Sequence, residues 1–216
     1  MARSVPNGNL SDNEMPLPDA MIEALHVLHQ AWAEVEAPWL VGGSCGLLLQ
    51  GVPLANMPRD LDVYADAPQV ERLHTRMLEC ATDEPNWSET GMYRSFLSHY
   101  SVHGVQVELV GSLRVDTNGS VYAVDINLLD SQRIDMDVQG RIIPVMPLVH
   151  ELVFNVMRNR PDRFEPIAAV MRSDWPRHED LARRMGGRLR VSPEIEAHLK
   201  RLVPWPGNRF LRQDSK

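Results

Sequence analysis

Two aspartates alternate with apolar residues in the run Arg59-Asp60-Leu61-Asp62-Val63-Tyr64, and this alternation limits how the chain can fold more than any other stretch. Successive side chains of a strand leave opposite faces, so a period of two marks a strand. Asp60 and Asp62 then share a face, with Cα atoms about 7 Å apart. Leu61 and Val63 point the other way, into a core. Two carboxylates so placed suit a hard cation such as Mg²⁺, which takes oxygen ligands and keeps waters for its substrate. A solvated strand edge is the other use of such a pair.

The neighbours of this strand favour the first use. Trp39-Leu40-Val41 reads as a short apolar strand, Gly42-Gly43 as a tight turn, and Ser44 to Gln50 as a helix closed by Gly51. A strand-to-helix turn of this kind exposes backbone N–H groups where phosphate binds well. Further on, Glu108 alternates with Val105, Val107 and Leu109 and so faces away from the apolar set. A carboxylate there is costly unless it is solvated, paired or bound to a metal.

The remaining chain supplies a frame for these residues. Residues 1–17 read as a flexible tail. A helix is expected from about Ala20 to Glu36, with Met21, Leu25, Leu28 and Trp32 on one face, and another from Gln69 to Ala81. Thr82 to Gly91 reads as a polar loop. Strands are expected over Met92–Val102 and Val105–Leu113, then at Arg114–Asp116, Ser120–Asn127, Gln132–Met136 and Arg141–Val145, with Asn118-Gly119 as a turn. From Pro147 the pattern is helical: Leu148 to Asn159, Phe164 to Arg172, His178 to Met185 and Pro193 to Leu202. This divides the chain into a tail (1–17), an α/β part (18–146) and a helical region (147–216).

Composition narrows the partners. The 216 residues carry a formal charge of −7, which disfavours nucleic acid and anionic membranes except at a local basic patch. No apolar run is long enough for a transmembrane helix, and the N-terminus lacks the apolar stretch of a secretory signal. The two cysteines, Cys45 and Cys80, fit a reduced cytoplasmic protein. The only lysines are Lys200 and Lys216, so positive charge in the body of the chain falls to arginine.

The order Gly42-Gly43-Ser44, then Arg59-Asp60-Leu61-Asp62-Val63, then a third acid resembles the nucleotidyltransferase superfamily. Leu40–Val63 is similar to the small bacterial nucleotidyltransferases of the abortive-infection-toxin and antibiotic-modifying kinds, and the resemblance covers roughly residues 20–171. It implies an α+β fold with an α/β-like opening: a mixed sheet flanked by helices, followed by a small helical region. It also implies metal-dependent transfer of a nucleoside monophosphate from a nucleoside triphosphate (NTP) to a hydroxyl. By this resemblance Asp60, Asp62 and Glu108 would ligate two Mg²⁺ ions, and Gly42, Gly43 and Ser44 would hold the triphosphate. Relatives often carry a lysine on the helix after the sheet. This chain has Arg160-Pro161-Asp162-Arg163 there, so the phosphate-binding cations would come from Arg59, Arg94, Arg158 and Arg160. The acceptor is open: a small molecule, a protein side chain or an RNA end.

Two other readings compete. Gly42-Gly43-Ser44-Cys45-Gly46 matches the G-x-S-x-G nucleophile elbow of serine hydrolases, which would make Ser44 a nucleophile and require an acid and a late histidine. The same fold without catalysis would bind a nucleotide or a partner.

Overall fold

The computed structural model describes residues 17–117 and 119–206. Most of the expected N-terminal tail, Asn118 of the expected turn, and residues 207–216 lie outside the described residues. Helix α1 (Asp19–Trp32) leads into β1 (Leu40–Val41), α2 (Gly43–Leu49), β2 (Asp60–Ala65) and α3 (Ala67–His74). Strands β3 (Asn86–Thr90), β4 (Tyr93–Val102), β5 (Val105–Thr117) and β6 (Ser120–Ala123) follow, then α4 (Ile126–Asp130), β7 (Ile134–Val138) and β8 (Arg141–Val145). The chain closes with α5 (Leu148–Met157), α6 (Pro161–Ser173), α7 (Trp175–Gly186) and α8 (Pro193–Leu202).

Among the described residues the strands form one eight-stranded mixed sheet in the order β3-β4-β5-β2-β1-β8-β7, with β6 paired to β5. The β2–β5 and β1–β8 pairings are parallel, and the others antiparallel. The acidic strand β2 is thus central. Its period of two sorts its residues between two cores. Leu61, Val63 and Ala65 join Val107 and Leu109 of β5 beneath α1 and α3, where Leu25, Leu28, Trp32, Val70 and Leu73 are buried. On the other face Tyr64, Val110 and Val115 pack with α5 to α8 through Leu152, Val153, Ile167, Leu181 and Leu199. The helical region after Pro147 therefore shares a core with the sheet. Among the described residues no helix is long and apolar enough to cross a membrane.

Several elements differ from expectation, each for a local reason. The expected polar loop contains β3, a sheet edge whose inner Ser88 and Thr90 face a cavity instead of a core, so it has no apolar alternation. Strand β5 runs unbroken to Thr117. The strand expected to reach Asn127 stops at Ala123, because Asp125 Oδ1 accepts the Leu128 N–H at 2.9 Å and starts α4. The helix expected to reach Ala81 ends at His74, and a 3₁₀ turn at Leu78–Cys80 follows.

Candidate active site

Strands β2 and β5 lie in parallel register with Asp62 opposite Glu108 and Asp60 opposite Gln106. Residues opposite one another share a face, so Asp60, Asp62 and Glu108 all open onto the side covered by α5 and α6. There they line one cavity of about 440 Å³ together with Gly43 and Ser44.

The glycine turn is built into this arrangement. The Gly42 N–H donates to the Asp62 carbonyl at 2.9 Å and ties the turn to β2. Gly43 has φ +57°, and a Cβ there would fall 1.9 Å from Asp62 Oδ2. Only glycine both tolerates the left-handed backbone and lets the carboxylate lie against the turn. The Gly43 N–H, expected to meet a phosphate, donates instead to Glu151 Oε1 at 2.8 Å. Glu151 is a buried acid of α5, and Asn155 Nδ2 donates to its carbonyl at 2.8 Å. The sequence reading missed it. The signal was available: a buried acid is expensive without a partner, and Glu151 sits in an apolar run, Leu148–Met157, in which every residue is buried.

The acids strain one another. Burial pushes Asp62 up to about 7, and the neighbouring charges of Asp60 and Glu108 add to the rise, while Arg158 and Arg163 oppose it. Burial likewise pushes Glu151 up to about 7, against the Gly43 hydrogen bond, which favours the ionised form.

Three arginines line the opposite wall, from the end of α5 and the start of α6. Arg158 Cζ lies 4.7 Å from the Phe154 ring centre and 5.8 Å from that of Tyr93. Arg160 donates to both carboxylate oxygens of Asp162, at 2.9 and 2.7 Å. Arg163, which was not among the expected cations, has its Nη1 buried with no hydrogen-bond partner among the described residues. Arg94 and Arg59 stand outside the cavity: Arg94 pairs with Glu89 at 2.9 Å and lies over the Trp87 ring, and Arg59 is exposed. Ser88, Thr90, Tyr93 and Ser95 of β3 and β4 complete an uncharged wall.

The donor chemistry fits Mg²⁺: Asp60, Asp62 and Glu108 offer hard oxygen ligands to one cavity. Among the described residues, no three acidic, histidine or cysteine side chains are gathered closely enough to hold an ion as they stand. Ser44 also lines the cavity, but among the described residues no histidine does. The late His150 is bonded to Tyr122 at 2.7 Å, and burial pulls its pKa down to about 3. A serine hydrolase therefore lacks its base here.

No protein-family model matches the sequence, and no curated protein matches it significantly. Solved structures do. A Thermotoga maritima protein provisionally described as a nucleotidyltransferase is 20% identical, with a TM-score of 0.61 over 76% of this chain and 99% of its own. The antibiotic-resistance factor ANT(2'')-Ia is 12% identical, with a TM-score of 0.50 over 84% of this chain and 97% of its own. The chain has the nucleotidyltransferase fold.

Proposed function

We propose that this cavity binds an NTP and transfers its nucleoside monophosphate to a hydroxyl of an acceptor. The observation that carries the reading is the alignment of Asp62 with Glu108 across β2 and β5, with Asp60 and the Gly42-Gly43-Ser44 turn beside them and three arginines opposite. Asp60, Asp62 and Glu108 would hold Mg²⁺, which when bound neutralises phosphate charge and lowers the pKa of a hydroxyl. Arg158, Arg160 and Arg163 face the triphosphate, and the unpartnered Nη1 of Arg163 is a donor for a phosphate oxygen. Ser44 lies at the mouth of the glycine turn and orients the same group. The acceptor oxygen bonds to the α-phosphorus, pyrophosphate leaves with the electron pair of the broken bond, and Glu108 would take the acceptor's proton. Orientation and charge neutralisation supply most of the rate in such a transfer.

The test is pyrophosphate release from NTP with Mg²⁺ and a panel of hydroxyl acceptors. Asp60→Ala and Asp62→Ala should each abolish it, by 10³-fold or about that, while circular dichroism shows the fold retained. Unchanged turnover in either variant contradicts the assignment.

A further inference from the structure

A second cavity, of about 240 Å³, lies between β6, α4 and the end of α7. Its floor is apolar, formed by Tyr122, Leu128, Leu129, Met185 and Leu189. Its rim is cationic, with Arg114, Arg188 and Arg190 against one acid, Asp125. That acid is already engaged on both oxygens, by the Leu128 N–H at 2.9 Å and by Arg188 Nη1 at 2.8 Å. Arg114 is held by Asp116 through Nε at 2.7 Å and Nη2 at 3.0 Å. Arg190 makes no ion pair among the described residues. Its backbone is nevertheless fixed, because its carbonyl accepts the Val121 N–H at 2.7 Å and the following Ser192 N–H donates to Ser120 Oγ at 2.7 Å. The backbone of the rim is therefore fixed, and among the described residues it carries one guanidinium, that of Arg190, without an ion-pair partner.

We propose that this cavity is a binding site for a small apolar carboxylate. A dry cavity of about 150 Å³ suffices for one benzene ring, so this one has room for a single ring or a short aliphatic chain. The planar fork of arginine matches a carboxylate with two parallel hydrogen bonds. With Arg114 and Arg188 each matched by an aspartate, Arg190 leaves the rim one net positive charge, which disfavours cations and which neutral molecules leave unmatched. The site is separate from the acidic cavity. One layer of buried rings divides them: Tyr122 bonds to His150 Nδ1 at 2.7 Å, and His150 stacks on Phe154, which lines the larger cavity.

The test is isothermal titration of the full chain with benzoate and hexanoate, with benzyl alcohol and hexanol as neutral counterparts, and with inorganic phosphate. The acids should bind saturably, one per chain, and the alcohols and phosphate at least about tenfold more weakly, since one charge-assisted pair is worth about that factor. Arg190→Gln should weaken the acids by about tenfold, and Asp62→Ala should leave them unchanged. No saturable binding, equal binding of the alcohols, or binding dominated by phosphate overturns the proposal. So does carboxylate binding that changes in Asp62→Ala and is unchanged in Arg190→Gln, which would place the ligand in the larger cavity. The outcome is independent of whether the acidic cavity performs nucleotidyl transfer.

Discussion

Gly43 and Glu151 decide the geometry of the acidic cavity. Gly43 is in the left-handed region at φ +57°, with Asp62 Oδ2 where a Cβ would stand. Gly43→Ala should cost about 1–2 kcal/mol for the backbone alone and should also push Asp62 aside. Urea denaturation reads the first effect, and loss of NTP binding reads the second; a variant as stable and as competent as wild type would contradict this view of the turn. Glu151 makes a prediction in pH. Its pKa is raised from 4.5 to about 7, so the folded chain keeps a proton that the unfolded chain gives up. That stability is present below the ordinary value and is lost as pH rises through about 7. The slope is at most about 1.4 kcal/mol per pH unit for one group. Asp62 behaves in the same sense. Glu151→Gln still offers Gly43 an acceptor oxygen but carries no charge. Its urea-measured stability should therefore fall less than that of wild type between pH 5 and 7, and an identical slope in both would show that Glu151 is ionised throughout.

At the scale of elements, the structure uses devices that the sequence signals unequally. Helix α3 has no capping side chain of its own. Ser112, at φ 46° in β5, accepts the Ala67 N–H at 2.8 Å and serves as its cap from a distant strand. Ser112→Ala should cost about 1 kcal/mol, read by chemical denaturation, and no loss would mean that water replaces the hydroxyl freely. Such long-range caps are invisible to local pattern reading. The alternation of Asp60 to Tyr64 was legible because one face is acidic and the other wholly apolar, and the glycine turn was legible because two glycines break a short apolar strand. Strand β3 was not, since its cavity-facing Ser88 and Thr90 leave no period of hydrophobicity. Helix α4 was masked by the strand-like Val121 to Ile126, which Asp125 interrupts only through its side-chain cap. Arg163 and Glu151 are brought to the cavity by the packing of α5 and α6 on the sheet, a tertiary fact with only burial cost as its local trace. Arg59 and Arg94 show the reverse: nearness in sequence to the acidic strand or its neighbours did not place them in the cavity.

The whole molecule is a sheet with a core on each face, and the acidic cavity opens only on the face that the C-terminal helices cover. Those helices bring Glu151, Arg158, Arg160 and Arg163, while the sheet brings Asp60, Asp62 and Glu108, so a ligand held by both sides is held by the folded chain as a whole. Binding to the native state alone raises the melting temperature by mass action. The most direct measurement is therefore the thermal shift of the chain with Mg²⁺ and a non-hydrolysable NTP, for wild type and for Asp62→Asn. Ligand at 100 times its dissociation constant should stabilise wild type by about 2.7 kcal/mol. Asp62→Asn, which removes charge from a crowded buried site, should melt no lower than wild type without ligand and should show no Mg²⁺-dependent shift with it. An equal shift in both proteins would place the nucleotide elsewhere and contradict the account.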